Sequence, residues 1–132
     1  MLSRIPLTIV SFLLFNAGLA GLFGSPDPWP RKLFDLSMIS GSVWTMTLAD
    51  LMVVIALVFL FVEIVKSTST SNASIVDHML SLAVFVLFLV EFLLVRGAAT
   101  SLFFELMLIA LVDVMAGFTV SLRSASRDVN FR

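Results

Sequence analysis

The chain holds nine acids and eight Lys or Arg residues in 132. Six of the acids, Asp50, Glu63, Asp77, Glu91, Glu105 and Asp113, lie inside or at the ends of long apolar runs. A carboxylate there is costly unless it faces a partner or a watery cavity, so these six are where chemistry is sought first. Asp113 is the deepest. Thirteen residues after Thr100 and ten before Arg123, it falls about 15 to 20 Å from either end of its run at about 1.5 Å per residue. Asn16, eleven residues after Ile5, reaches a comparable depth in the first run, which makes an Asn16 to Asp113 hydrogen bond geometrically available. Ala110, Asp113, Ala116 and Gly117 share a small-residue face, which Ala17-x-x-x-Gly21 could match as a groove. Glu91 and Glu105 flank a tight turn at about 7 to 8 Å depth. With Arg96 they could share a proton, form a charge cluster, or simply fix the register of two helices.

The remaining polar residues have local explanations. Thr47 with Asp50, and Ser74 with Asp77, have the spacing of helix N-caps, in which a hydroxyl and an acid three residues on satisfy the first free N–H groups. Glu63 stands one turn before Lys66, close enough to pair on one helix face. His78, at the start of the third run, meets water or headgroups. No second His and no Cys exists to complete a metal site. Gly-rich phosphate loops, nucleophile elbows, zinc-binding histidine pairs and di-iron carboxylate motifs do not occur. The sequence therefore yields no catalytic, cofactor-binding or metal-binding residue, no cofactor is expected, and an enzyme is not expected.

The elements that must position these groups follow from composition. Sixty percent of the residues are hydrophobic and 13% charged, with a mean hydropathy of +1.12, which places the chain among integral membrane proteins. The expectation is an all-α bundle of four antiparallel transmembrane helices forming one domain over 1–132, with helices at about 5–23, 47–66, 74–96 and 100–122. The first run is read as a retained helix rather than a signal peptide. In the loop 24–46, Phe34, Leu36 and Met38 alternate, as do Trp44, Met46 and Leu48. That pattern predicts a short β-hairpin between the first two helices, the alternative being an irregular interfacial loop. Arg4, Lys66, Arg123, Arg127 and Arg132 on one side against Arg31, Lys32 and Arg96 on the other put both termini and the tail 123–132 in the cytoplasm. The net charge of -1 offers no basic surface for nucleic acid.

Thr47-Leu48-Ala49-Asp50, Ile75-Val76-Asp77-His78 and Val112-Asp113-Val114-Met115-Ala116-Gly117-Phe118 give the chain a pattern that resembles small four-helix bacterial inner-membrane proteins without an assigned role. The resemblance implies a bacterial inner-membrane location and brings no mechanism. Two functions are expected to compete. The first is an accessory or interaction subunit, packing in the lipid bilayer against other membrane subunits or copies of itself. The second is a small transporter or proton- or cation-conducting protein that uses its intramembrane carboxylates. A lipid-modifying enzyme lacks a nucleophile and base pair.

Overall fold

A computed structural model describes residues 5–68 and 72–130, with side chains described over 5–68 and 76–120. Four helices and one hairpin follow in order: α1 (Thr8–Leu19), β1 (Lys32–Ser37), β2 (Val43–Thr47), α2 (Leu48–Lys66), α3 (Asn72–Leu94) and α4 (Ser101–Asn130), with a 3₁₀ turn (Arg96–Ala98) before α4. Three helices, over Leu48–Lys66, Val76–Leu94 and Ser101–Val120, are long and apolar enough to cross a membrane. The Pro6 end of α1 meets the Lys66 end of α2, and Lys66 meets Asp77 near the start of α3. The helices thus alternate in direction.

α1 is shorter than its apolar run suggests: its twelve residues extend only about 18 Å. Gly21 explains the stop. At φ +89° it takes the left-handed conformation that closes a helix, and two backbone bonds complete the closure, Leu22 N–H to the Ala17 carbonyl at 3.0 Å and Gly21 N–H to the Gly18 carbonyl at 3.0 Å. The chain then folds back so that Trp29 lies on Gly18, where a Cβ would stand 2.5 Å from the indole. Trp29 also stacks on Phe15 with centroids 5.2 Å apart. That contact buries an indole that would otherwise suit a headgroup belt.

The hairpin forms as the alternation predicts. Phe34 opposes Met46 and Leu36 opposes Trp44, which sets four apolar side chains on one face, with Phe34 and Trp44 edge-to-face at 5.5 Å. Met38 and Ser42 close a three-residue loop whose last member, Gly41, has φ +93°. Lys32 Nζ donates to Asp35 Oδ2 at 2.7 Å, and Thr45 Oγ1 donates to Asp35 Oδ1 at 2.6 Å. These two hydrogen bonds, that from Lys32 first, hold the Asp35 carboxyl below its ordinary 3.8.

β2 runs directly into α2. Thr47 caps the helix: its Oγ1 accepts from Asp50 N–H at 3.2 Å, and Asp50 Oδ2 accepts from Thr47 N–H at 3.1 Å. The Leu48 and Ala49 N–H groups donate to the Arg31 and Trp29 carbonyls, so the first turn of α2 leaves little unsatisfied. At the other end of the chain, α4 continues as helix to Asn130, well past the apolar run and into what composition reads as a polar tail.

Each helix buries one stripe at three- and four-residue spacing: Thr8, Ser11, Phe15 and Gly18 on α1; Met52, Ala56 and Glu63 on α2; Asp77, Ser81, Val84 and Phe88 on α3; Phe103, Leu106, Ala110, Asp113 and Gly117 on α4. Aromatic rings fill the half of the bundle nearer the hairpin, where Phe15 and Phe103 stand 4.8 Å apart, Phe88 and Phe103 5.2 Å, and Phe12 and Phe88 5.0 Å. The polar members of the stripes collect in the other half.

Candidate functional site

Glu63, Lys66, Asp77, Ser81 and Asp113 form a buried polar cluster on three helices, and the backbone at the start of α1 completes it. Glu63, on the last turn of α2, is 1% exposed. Its Oε1 accepts from Leu7 N–H at 2.6 Å and from Lys66 Nζ at 3.0 Å. The N-cap residue Leu7 has no side-chain cap of its own, so a carboxylate from α2 satisfies a free N–H and faces the positive end of the α1 dipole. Lys66 Nζ also donates to the Ile5 carbonyl at 2.9 Å and to Asp77 Oδ1 at 3.3 Å. Asp77 is 5% exposed, and its carboxyl shares the Lys66 ammonium with that of Glu63.

Asp113 enters from α4 at 4% exposure. The Ser81 hydroxyl donates to the Asp77 carbonyl at 3.0 Å and lies within hydrogen-bonding reach of the Asp113 carboxyl. Three oxygens around this region are buried without a hydrogen-bond partner: Glu63 Oε2, Asp113 Oδ2 and Thr8 Oγ1. A buried acceptor left without a donor costs about 1 to 3 kcal/mol, more when charged. Three carboxyl groups around one ammonium group make an arrangement that can tie four helices together and can also take up a proton.

The other residues singled out from sequence fall elsewhere. Asn16 does not reach Asp113. Its Nδ2 donates to the Phe12 carbonyl at 2.9 Å, and its side chain lies near that of Glu91, whose Oε2 is buried without a hydrogen-bond partner. Asn16 and Glu91 each lie three residues before the end of their helix, on the hairpin side. Glu105 and Arg96 are exposed, and among the described residues neither makes an ion pair. Thr47 and Asp50 form the cap described above. Asp77 turns one carboxyl oxygen to Lys66, and the cap expected of Ser74 with Asp77 falls partly outside the described residues. Gly21 falls beyond the end of α1, and Gly18 is covered by Trp29, so neither forms a groove for α4. His78 packs on α4 instead, its ring 6.1 Å from that of Phe118 and its Nδ1 2.7 Å from where a Cβ on Gly117 would be.

Sequence reasoning paired Glu63 with Lys66 but missed the convergence on them of Asp77, Ser81 and Asp113. A signal was present: Thr8 and Ser11, and Asp77 and Ser81, are polar residues spaced three or four apart at inward positions of otherwise apolar helices. Comparison with family models, with curated proteins and with solved structures gives no match.

Proposed function

We propose that this chain is an integral membrane protein that crosses the bilayer four times and serves as an accessory or interaction subunit of a larger membrane assembly or homo-oligomer. α1 supports the fourth crossing despite its length. It begins beside Glu63 and ends with Leu19 packed over Gly97, in the turn between α3 and α4, so it runs alongside the three longer helices. The balance of Lys and Arg favours both termini in the cytoplasm with the hairpin outside, and the resemblance to small bacterial inner-membrane proteins favours that membrane.

The hairpin carries the subunit reading. Phe34, Leu36 and Trp44 are 43 to 51% exposed on one face, and each strand of a two-stranded ribbon is an edge with unpaired N–H and C=O groups. Apolar side chains beside open edges suit addition of a strand from another subunit. A photoreactive residue in place of Leu36 tests this in native membranes. The expected product is an adduct with a second membrane protein or a second copy of the chain, weakened by Trp44→Ser. Adducts with lipid alone would overturn the reading.

The polar cluster favours a second reading, proton or cation conduction. Reconstituted protein that moves protons, with the flux abolished in Asp113→Asn and Glu63→Gln, would establish it in place of the first.

A further inference from the structure

We infer that the Glu63, Asp77 and Asp113 cluster is a proton-binding site, with a proton shared between the Glu63 and Asp77 carboxyl groups. Three observations carry this. First, the two carboxyl groups converge on one ammonium, Glu63 Oε1 and Asp77 Oδ1 lying 3.0 and 3.3 Å from Lys66 Nζ, yet ionised carboxylates are acceptors only. A hydrogen bond between them requires a proton on one. Second, Glu63 Oε2 and Asp113 Oδ2 are enclosed without a donor. Protonation converts such an oxygen from an unpaired acceptor into a donor, and a carboxyl partner is already in place for Glu63. Third, the charges do not balance among the described residues: with every group ionised, Glu63 and Asp77 share the ammonium of Lys66 while Asp113, the third buried carboxylate, makes no ion pair, in a setting where unpaired charge is expensive. One proton brings the cluster to a net charge of -1, and a second, on Asp113, brings it to neutrality.

The surroundings supply no other compensating charge among the described residues. α1 presents Thr8 and Ser11, α2 presents Glu63 and Lys66, and α3 presents Asp77 and Ser81. His78 faces Gly117 and Phe118, one turn along α4 from Asp113. The Arg4 and Arg123 side chains lie outside the described residues. A metal ion is a poorer occupant, since among the described residues no group of acids and histidines is arranged to hold one. The inference concerns what occupies the cluster, and it stands whether or not any ion crosses the membrane.

Infrared spectroscopy of the protein in lipid nanodiscs tests it, read at the carboxylic acid C=O stretch, which ionised carboxylates lack. At neutral pH the wild type should show this band, and it should vanish on alkaline titration. Glu63→Gln, which keeps an acceptor for Leu7 N–H, and Asp77→Asn should each weaken it, by the share of the proton held between these two groups. Exchanging sodium for potassium should leave it unchanged. Should either variant fail to fold, carbon-13 labelling of Asp and Glu in the wild type reads the same protonation by magnetic resonance. Absence of a protonated carboxyl at neutral pH would overturn the inference. So would a band of undiminished intensity in both variants, or one that sodium abolishes.

Discussion

Lys66 is the cation on which the cluster turns, and the substitutions that separate its effect from that of the acids have opposite signs. Lys66→Met leaves buried acids without their counter-charge and should cost about 3 kcal/mol or more in equilibrium unfolding from mixed micelles. Asp113→Asn removes one acid from a set that already exceeds its cation, and should leave stability within about 1 kcal/mol of wild type or raise it. Equal losses in the two variants would show that charge balance does not govern the cluster. On the hairpin, Asp35 is held below its ordinary value by Lys32 and Thr45. A lowered carboxyl contributes stability above its unfolded value of 3.8, and that contribution disappears as pH falls through the lower folded value. The Asp35 carboxyl resonance should therefore titrate below 3.8, with Trp44 emission changing over the same range and the change lost in Asp35→Asn. Pairings of this kind are legible when they are local: Glu63 with Lys66 could be read from spacing. Asp77 could not, because its cap-like position near a helix start disguised a residue that turns across to another helix.

At the scale of elements, signals read well where backbone chemistry is confined to a few residues. The Thr47 and Asp50 cap and the alternating hairpin strands belong to that class. Thr47→Ala should cost about 0.5 kcal/mol, at the low end of capping effects, because Leu48 and Ala49 keep their bonds to the Arg31 and Trp29 carbonyls. The end of α1 read poorly. Ala20-Gly21-Leu22-Phe23 continues the apolar run, so hydropathy ran on through a stop that depends on the backbone conformation of one glycine. The end of α4 failed in the opposite sense: hydropathy stops near residue 122 while the helix continues to Asn130, since Ser, Ala and Arg need no apolar face to remain helical. The fold-back that α1 permits is testable at Gly18. Gly18→Ala places a methyl group 2.5 Å from the Trp29 ring, which should shift Trp29 emission to the red in a Trp44→Phe background and cost about 2 kcal/mol through overpacking. Unchanged emission would mean that the stack on Phe15 does not hold Trp29 in place.

The arrangement of the whole molecule was readable as alternation of direction, but not as which polar groups meet. Counting α1 as 5–23 put Asn16 near the middle and opposite Asp113; ending it at Leu19 puts Asn16 one turn from the hairpin side, level with Glu91, whose helix ends at Leu94. An error of one turn at a helix end thus exchanged one partner for another. The rotation of each helix about its own axis, which brings Asp77 and Asp113 together, has no local signature in sequence. Direction is the more robust property and supports a prediction for the entire chain. The sequence contains no cysteine, so single substitutions report cleanly on sidedness. Thr68→Cys, just beyond α2, and Asn130→Cys, at the end of α4, should react with an impermeant thiol reagent from the same side of oriented membranes, and Ser40→Cys at the hairpin tip from the other. Labelling of Thr68→Cys and Ser40→Cys from one side would mean that α2 does not cross. Labelling of Asn130→Cys from the hairpin side would separate the end of α4 from the Lys66 end of the bundle. Both results would be incompatible with a cluster assembled from α2, α3 and α4 within a lipid bilayer, because those helices can bring Glu63, Asp77 and Asp113 to one level only if each crosses in the direction opposite to the helix before it.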